Sequence, residues 1–243
     1  MKKSNRIKDY LKTIPFFMEM YNVYFKLRFG RRQKRKQRYF IAENEELFRK
    51  FTETLNSNDI VFWLEFGTLL GFYREHDFIK HDFDLDVGVR LSDAAKIRKC
   101  LMENGFKLVR YFHAKDGGME ESYRYLHTTI DLFYFRVDAI NPSIQYCNMF
   151  KSPVFPVKKQ HLNKMLTMTV KRKNVPNNGF ERAVFKGCDI YIPQKTDEHL
   201  CAHYGKNYMI PDPTFSHDND VDNTVYYTLE ENPGTGVFYE LPL

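Results

Sequence analysis

The sequence has a single tryptophan, no Cys-x-x-Cys pair and no apolar run longer than Ile60–Leu64. Four cysteines, at 100, 147, 188 and 201, stand too far apart for a zinc ribbon or a thioredoxin-type motif. Scattered cysteines in a chain of this size fit a reduced, cytoplasmic setting. The five-residue apolar run falls far short of the roughly 20 residues that a spanning helix requires. The opening "MKKSNRIKDYLKTIPFFMEM" is basic but lacks a sustained apolar centre and a small-residue cleavage site, so it does not read as a signal peptide. Internal repeats are missing, as is any low-complexity tract beyond one basic run.

The 243 residues are enough for one generous domain, and 43% hydrophobic against 28% charged residues supports a packed core. Phenylalanine (22) and tyrosine (16) are plentiful, chiefly as core material. The net charge of +6 conceals an asymmetry. Residues 1–40 carry thirteen Lys/Arg against two acidic residues, leaving 24 basic against 29 acidic in 41–243. The chain therefore divides into a basic, aromatic N-terminal arm, 1–40, and a body, 41–243, whose tail 214–243 reads as extended. The arm contains Pro15 as a break or helix start and the run "GRRQKRKQR" at 30–38. Such a segment suits an anionic membrane surface, and equally suits nucleic acid or a solvated helix end.

Within the body, Leu47, Phe48, Phe51 and Leu55 form a helical stripe ending near "NSND". "DIVFWLEF" reads as a buried strand, "GTLLGFYRE" as a turn into a short helix, and 82–89 as a strand. Ser92 is placed to cap the helix "DAAKIRKCLMEN", with Gly105 as its stop. "FKLVRYFHA" and "SYRYLHTTIDLFYFRVD" supply further strands around "KDGG". The region 137–185 reads as irregular. "FKGCDIYIP" then reads as a strand pair before the helix "DEHLCAHYG". Strands and helices in irregular order predict an α+β fold with a mixed sheet flanked by helices.

Three segments carry candidate chemistry. Gly67 and Thr68 follow a buried strand, where backbone N–H groups favour phosphate oxygens. Asp82, Asp84 and Asp86 alternate with Phe83, Leu85 and Val87, which puts three carboxylates on one strand face. Asp131 interrupts the apolar run "TTIDLFYF", a costly position for a carboxylate without a partner or a metal. Asp84, Asp86 and Asp131 together make a hard-oxygen cluster suited to Mg²⁺ or Mn²⁺ bound to a nucleotide pyrophosphate. Asp82 reads as a ligand, a base for an acceptor hydroxyl, or a carboxylate orienting water. Arg74 reads as a phosphate contact or a partner for Asp82, and Lys206 after Tyr204-Gly205 as a further phosphate contact. His76, His81 and His127 lie near the motifs, and nothing in the sequence gives them a role beyond hydrogen bonding.

The stretch "FWLEFGTLLGFYREHDFIKHDFDLDVGV" resembles the LicD/fukutin family, with its G-[ST]-L-L-G turn, an Arg, and alternating aspartates. The resemblance extends through "IDLFYF" to "FKGCDIYIP" and "HLCAHYGKNYMIPDP", roughly residues 41–213. It implies a nucleotidyltransferase-like fold acting as a metal-dependent phosphotransferase. Such enzymes move a phosphorylated alcohol, of the phosphocholine, ribitol phosphate or glycerol phosphate type, from a CDP-activated donor to a sugar hydroxyl. The family's metal carboxylates fall on Asp84 and Asp86, with Asp131 as the third; Gly67 and Thr68 fall on its phosphate turn and Arg74 on its basic position. Many bacterial members have a further aspartate where this chain has Phe83. The expected acceptor is a surface glycan, lipid-linked if the arm holds the enzyme at the inner membrane face. The alternatives are a nucleotidyltransferase acting on RNA or protein, and a non-catalytic protein binding nucleic acid through its arm.

Overall fold

The computed structural model describes residues 15–154, 157–211 and 223–241; along 15–29 and at Arg31 it describes the backbone only. Its first element is a long helix, α1 (Pro15–Asn56), with proline at the first helical position, where its missing N–H costs nothing. The predicted stripe is the buried face: Leu47, Phe48, Phe51 and Leu55 are inaccessible to solvent, and Phe40 extends the same face two turns earlier. Phe51 meets Phe62 edge-on at 5.3 Å and Phe48 meets Phe78 at 5.5 Å. Residue 40, where the arm was divided from the body, falls inside α1. Residues 1–14 of that arm lie outside the described residues.

The "FWL" run forms β1 (Phe62–Leu64), which is wholly buried, as its aromatic and aliphatic composition predicts. A one-turn helix, α2 (Phe66–Leu70), follows and continues as a π-turn over Gly71–Glu75. The aspartate strand, β2 (Asp84–Arg90), starts two residues later than expected. Asp82 lies before it, after a turn in which its N–H donates to the carbonyl of Ile79 at 3.0 Å. Ser92 is not a cap. It sits within a 3-10 turn, Leu91–Asp93, which leads into α3 (Ala94–Glu103) with Asp93 at the N-cap and no side-chain cap bond. Gly105 does stop that helix, at φ +89°.

Three antiparallel strands come next: β3 (Lys107–Ala114), β4 (Met119–Tyr125) and β5 (Thr128–Val137). The region that reads as irregular holds instead an antiparallel pair, β6 (Ile144–Lys151) and β7 (Leu166–Pro176), in register from Ile144↔Pro176 to Lys151↔Thr169. Its hydrophobic alternation is masked because the buried positions include Gln145, Asn148 and Lys173. The expected strand pair is β8 (Phe180–Phe185) and β9 (Cys188–Pro193), followed by α4 (Thr196–Tyr204), which Gly205 closes.

The tail is more than an extended wrap. Residues 212–222 of its Pro- and Asp-rich part lie outside the described residues, but β10 (Thr224–Tyr226) and β11 (Gly234–Phe238) are strands. β11 fills the gap between β7 and β3, joining the sheet in the order β10-β7-β11-β3-β4-β5-β2-β1-β9-β8, with β6 bridging β5 and β7. The sheet is mixed, as predicted: β2 runs parallel to β5, and β1 runs parallel to β9. Among the described residues no helix is long and apolar enough to cross a membrane.

Candidate active site

Register assembles the site. On neighbouring strands Asp86 stands opposite Asp131, Asp131 opposite Ser122, and Ser122 opposite Arg110, so one rung crosses four strands. The next rung holds Asp84, Thr129 and Arg124. Cross-strand partners share a face, so the two rungs set the carboxylates at one end and the guanidinium groups at the other. A bulge between Leu108 and Arg110 brings Arg110 onto this face. Arg110 pairs with both Asp131 and Glu120, and Ser122 donates to the other oxygen of Asp131 at 2.5 Å.

The turn after β1 builds the opposite wall. Phe66 takes the left-handed conformation, φ +42°, which a bulky residue adopts only when its surroundings enforce it. Gly67 therefore serves for closeness of approach. A Cβ there would collide with the Asp82 carboxylate and press on that of Asp86 at 3.3 Å. The Gly67 N–H donates to Asp86 Oδ2 at 3.2 Å, and Thr68 Oγ1 accepts from the Asp86 N–H at 2.8 Å. The Thr68 hydroxyl is buried and fixes β2 rather than facing a ligand.

Crowding raises the proton affinity of Asp82, Asp84 and Asp86. Burial, then the charge of Asp84, pushes Asp82 up to about 7; burial and Asp131 push Asp84 up to about 6. Burial and three neighbouring aspartates drive Asp86 well above the usual carboxylate range. Burial also raises Glu120 to about 7, although Arg110 opposes it. Carboxylates so packed favour added positive charge, of the kind a divalent cation with oxygen preference could supply. Lys36, on the half-buried side of the basic run, lines the cleft beside Asp84, Arg110, Arg124 and Asp131.

The four predicted aspartates thus converge, with Asp82 reaching the cluster from outside the strand. Arg74 instead pairs with Glu75 at 2.7 Å and donates to the Tyr208 carbonyl at 3.1 Å. Lys206 is exposed in the turn after α4. His127 is bound by Glu43 and stacked on Tyr39, and His81 meets Gln37. Arg110, Ser122, Glu120 and Lys36 escape a reading of the sequence, because only the bulge and the fold of α1 bring them here.

The family model described as "LicD/FKTN/FKRP, nucleotidyltransferase domain" matches residues 59–195, which include the turn, both aspartate strands and β3–β9. The chain belongs to the LicD/FKTN/FKRP family. It is similar to the "Ribitol-5-phosphate transferase FKTN" of Macaca fascicularis and of Homo sapiens, each 25% identical over 72% of this chain and 35% of the relative. The chain thus spans about a third of the length of those relatives. An "Uncharacterized protein RT0683" from Rickettsia typhi is 35% identical over 31% of this chain and 25% of its own length. Among solved structures, the lincomycin-bound lincosamide antibiotic adenylyltransferase LnuA aligns over 69% of this chain and 95% of its own. Its TM-score is 0.40 at 11% identity.

This LicD/FKTN/FKRP member carries a second buried cluster behind the turn. Glu65 Oε1 contacts His199 Nε2 at 2.8 Å and His203 Nε2 at 2.6 Å, while Trp63 Nε1 donates to Oε2 at 2.7 Å. Glu65, His199 and His203 are the described group whose ligand-type atoms lie within 4.8 Å of one another. Burial opposes ionisation of Glu65, but the two histidines overcome it and hold the carboxyl well below its usual range. The signal for this cluster was the i, i+4 spacing of the histidines in "HLCAH", which puts both on one helix face.

Proposed function

We propose that the protein is a metal-dependent phosphotransferase that moves an alcohol phosphate from a CDP-activated donor to a sugar hydroxyl of a surface glycan. The observation that carries this reading is the row of mutually repelling carboxylates, half-buried Asp84 and Asp86 and buried Asp131, on adjacent strands beside the Gly67 turn. Family membership and the transferase names of the relatives support the transferred group, with ribitol phosphate as the first donor to test. Asp84 and Asp86 would hold Mg²⁺ or Mn²⁺, with Asp131 as third carboxylate. When bound, such an ion neutralises charge developing on the donor's bridging oxygen.

The chain's own groups do the rest. Arg110 holds Asp131 in place and presents positive charge toward the phosphates. Lys36 and Arg124 line the cleft on the same side. Asp82 is the acceptor-side carboxylate, whose raised proton affinity suits it to take the hydroxyl proton near neutral pH. Phosphoryl transfer asks the protein chiefly for positioning and electrostatic stabilisation, which these groups supply.

The test is CMP release from CDP-ribitol, CDP-glycerol or CDP-choline with Mg²⁺ and candidate sugar acceptors. Activity lost in Asp84→Ala supports the proposal; release of CMP from none of these donors, or full activity in Asp84→Ala, overturns it. The family's description as a nucleotidyltransferase domain favours one second reading, transfer of a nucleotide. Label on the α-phosphate of an NTP would then remain on the acceptor.

A further inference from the structure

We infer that Glu65, His199 and His203 form a hydrogen-bonded clamp that positions Asp86 through the strained Phe66–Gly67 turn. Residues 65, 67 and 68 each bond directly to Asp86. The Glu65 N–H donates to the Asp86 carbonyl at 3.2 Å, the Gly67 N–H donates to its carboxylate, and Thr68 Oγ1 accepts from its N–H. Between them lies Phe66 at φ +42°, a strained conformation that persists only where its surroundings fix it. Its surroundings are the clamp. The Phe66 ring packs on His203 at 4.4 Å and on Phe133 at 4.5 Å, and the neighbouring Glu65 side chain accepts three hydrogen bonds. Glu65, His199, His203 and Trp63 are all at most 1% exposed, so water offers the carboxylate no substitute partners. Helix α4, remote in sequence from β2, thus sets where the Asp86 carboxylate stands.

The same three residues could instead be a metal site. The distances favour a clamp, because 2.6 and 2.8 Å are hydrogen-bond lengths. Ligands around a tetrahedral zinc ion stand roughly 3.3 Å apart, given metal–ligand bonds near 2.0–2.1 Å. Buried Lys173 also adds positive charge close enough to disfavour protonation of His203. Two ring N–H groups donating to one carboxylate fit those distances, and the nearby positive charge disfavours an added dication.

The inference rests on the reading of Asp84 and Asp86 as cation ligands, and two measurements keep the two separable. The first, on the metal-free full chain, is amide hydrogen exchange over residues 66–70. His203→Leu removes the donor and keeps the bulk; His203→Gln retains an N–H near the position of Nε2; Trp63→Phe removes the bond to Oε2 together with part of the ring that stacks on Phe180. The clamp predicts faster exchange at 66–70 in His203→Leu and Trp63→Phe, near-native exchange in His203→Gln, and unchanged protection in α3. The second is Mn²⁺ titration followed by electron paramagnetic resonance, with Asp84→Asn as control. His203→Leu should weaken Mn²⁺ binding by about 10-fold or more, the usual scale for an outer partner of a metal ligand, and His203→Gln by less. Native exchange over 66–70 in folded His203→Leu or Trp63→Phe overturns the clamp. So does stoichiometric zinc in the purified protein that His203→Leu removes. If His203→Leu does not fold, Trp63→Phe and His203→Gln decide the matter. Mn²⁺ binding that is absent in the native chain, or unaffected by Asp84→Asn, defeats the cation reading and leaves the exchange result to judge the clamp.

Discussion

At Gly67 the packing admits a hydrogen atom and nothing larger, because the Asp82 carboxylate occupies the space a methyl group would need. Gly67→Ala must push Asp82, Asp86 or the turn aside. Misplacement by about 1 Å at a site of this kind costs on the order of 100-fold in rate. The expected outcome is a loss of CMP release of that size with a cooperative melting transition retained; calorimetry beside the assay checks it. His203 makes a different prediction. Burial, aided by His199 and Lys173 and opposed by Glu65, lowers its proton affinity below the free value. Below about pH 6.5 the unfolded chain therefore takes up a proton that the folded chain refuses, and stability falls as pH falls. Glu65, held far down in the fold, adds a second acid-side loss that begins near its unfolded value of 4.5. Asp82, Asp84, Asp86 and Glu120, whose proton affinities the fold raises, act in the opposite sense. The His203 contribution is therefore read as a difference: from pH 7 to pH 5 the melting temperature of His203→Gln should gain on that of the native chain. A variant that loses ground instead would contradict the assignment. At this scale the sequence disclosed all four aspartates but not what holds them. Asp131 stood out as a charge in an apolar strand, whereas its partner Arg110 reaches it through a bulge that no local pattern announces.

Elements with clean periodicity were legible, and those assembled from distant pieces were not. The stripe of α1 and the alternation of β2 each follow from one short window, since burial there depends on one face. Phe51→Ala in that stripe should cost about 3–5 kcal/mol, the range for emptying a buried phenylalanine site, and urea unfolding measures it. β6 and β7 hide their alternation behind Gln145, Asn148 and Lys173, polar residues that only the completed fold buries. The tail concealed β11 for another reason. Gly234 and Gly236 weaken any strand signal, yet they are required there, because Phe112 of β3, Phe150 of β6, and Met168 and Val170 of β7 press against them. β11 joins β7 to β3, so its loss exposes two unpaired edges inside the sheet. A chain ending at residue 233 should express as aggregate, and Gly236→Val should lower the melting temperature while leaving the distant clamp amides at 66–70 protected. Soluble, cooperatively folded protein from the truncated chain would refute this role for β11.

For the molecule as a whole, the charge asymmetry has two destinations on one helix. Lys34, Arg35 and Arg38 are exposed on α1, while Lys36 turns inward, lines the cleft and lowers the proton affinity of Asp84. The basic run is therefore not a single patch. Its outward residues form a solvated cationic face that suits anionic headgroups, at about 1 kcal/mol per cation near the surface. Its inward residue stands within the proposed transfer site. The two roles separate by mutation. Changing Lys34, Arg35 and Arg38 together to Glu should abolish salt-sensitive binding to vesicles containing phosphatidylglycerol, yet leave CMP release with a soluble acceptor within about twofold, since exposed substitutions away from the site change little. Lys36→Gln should do the reverse, retaining vesicle binding and lowering turnover by about 10-fold, the effect of removing one charged contact worth roughly 1.5 kcal/mol. Co-sedimentation and the transfer assay, run on the same preparations, read both. If all four cations affected binding and turnover alike, the helix would present one continuous patch, and Lys36 would have no separate place beside Asp84.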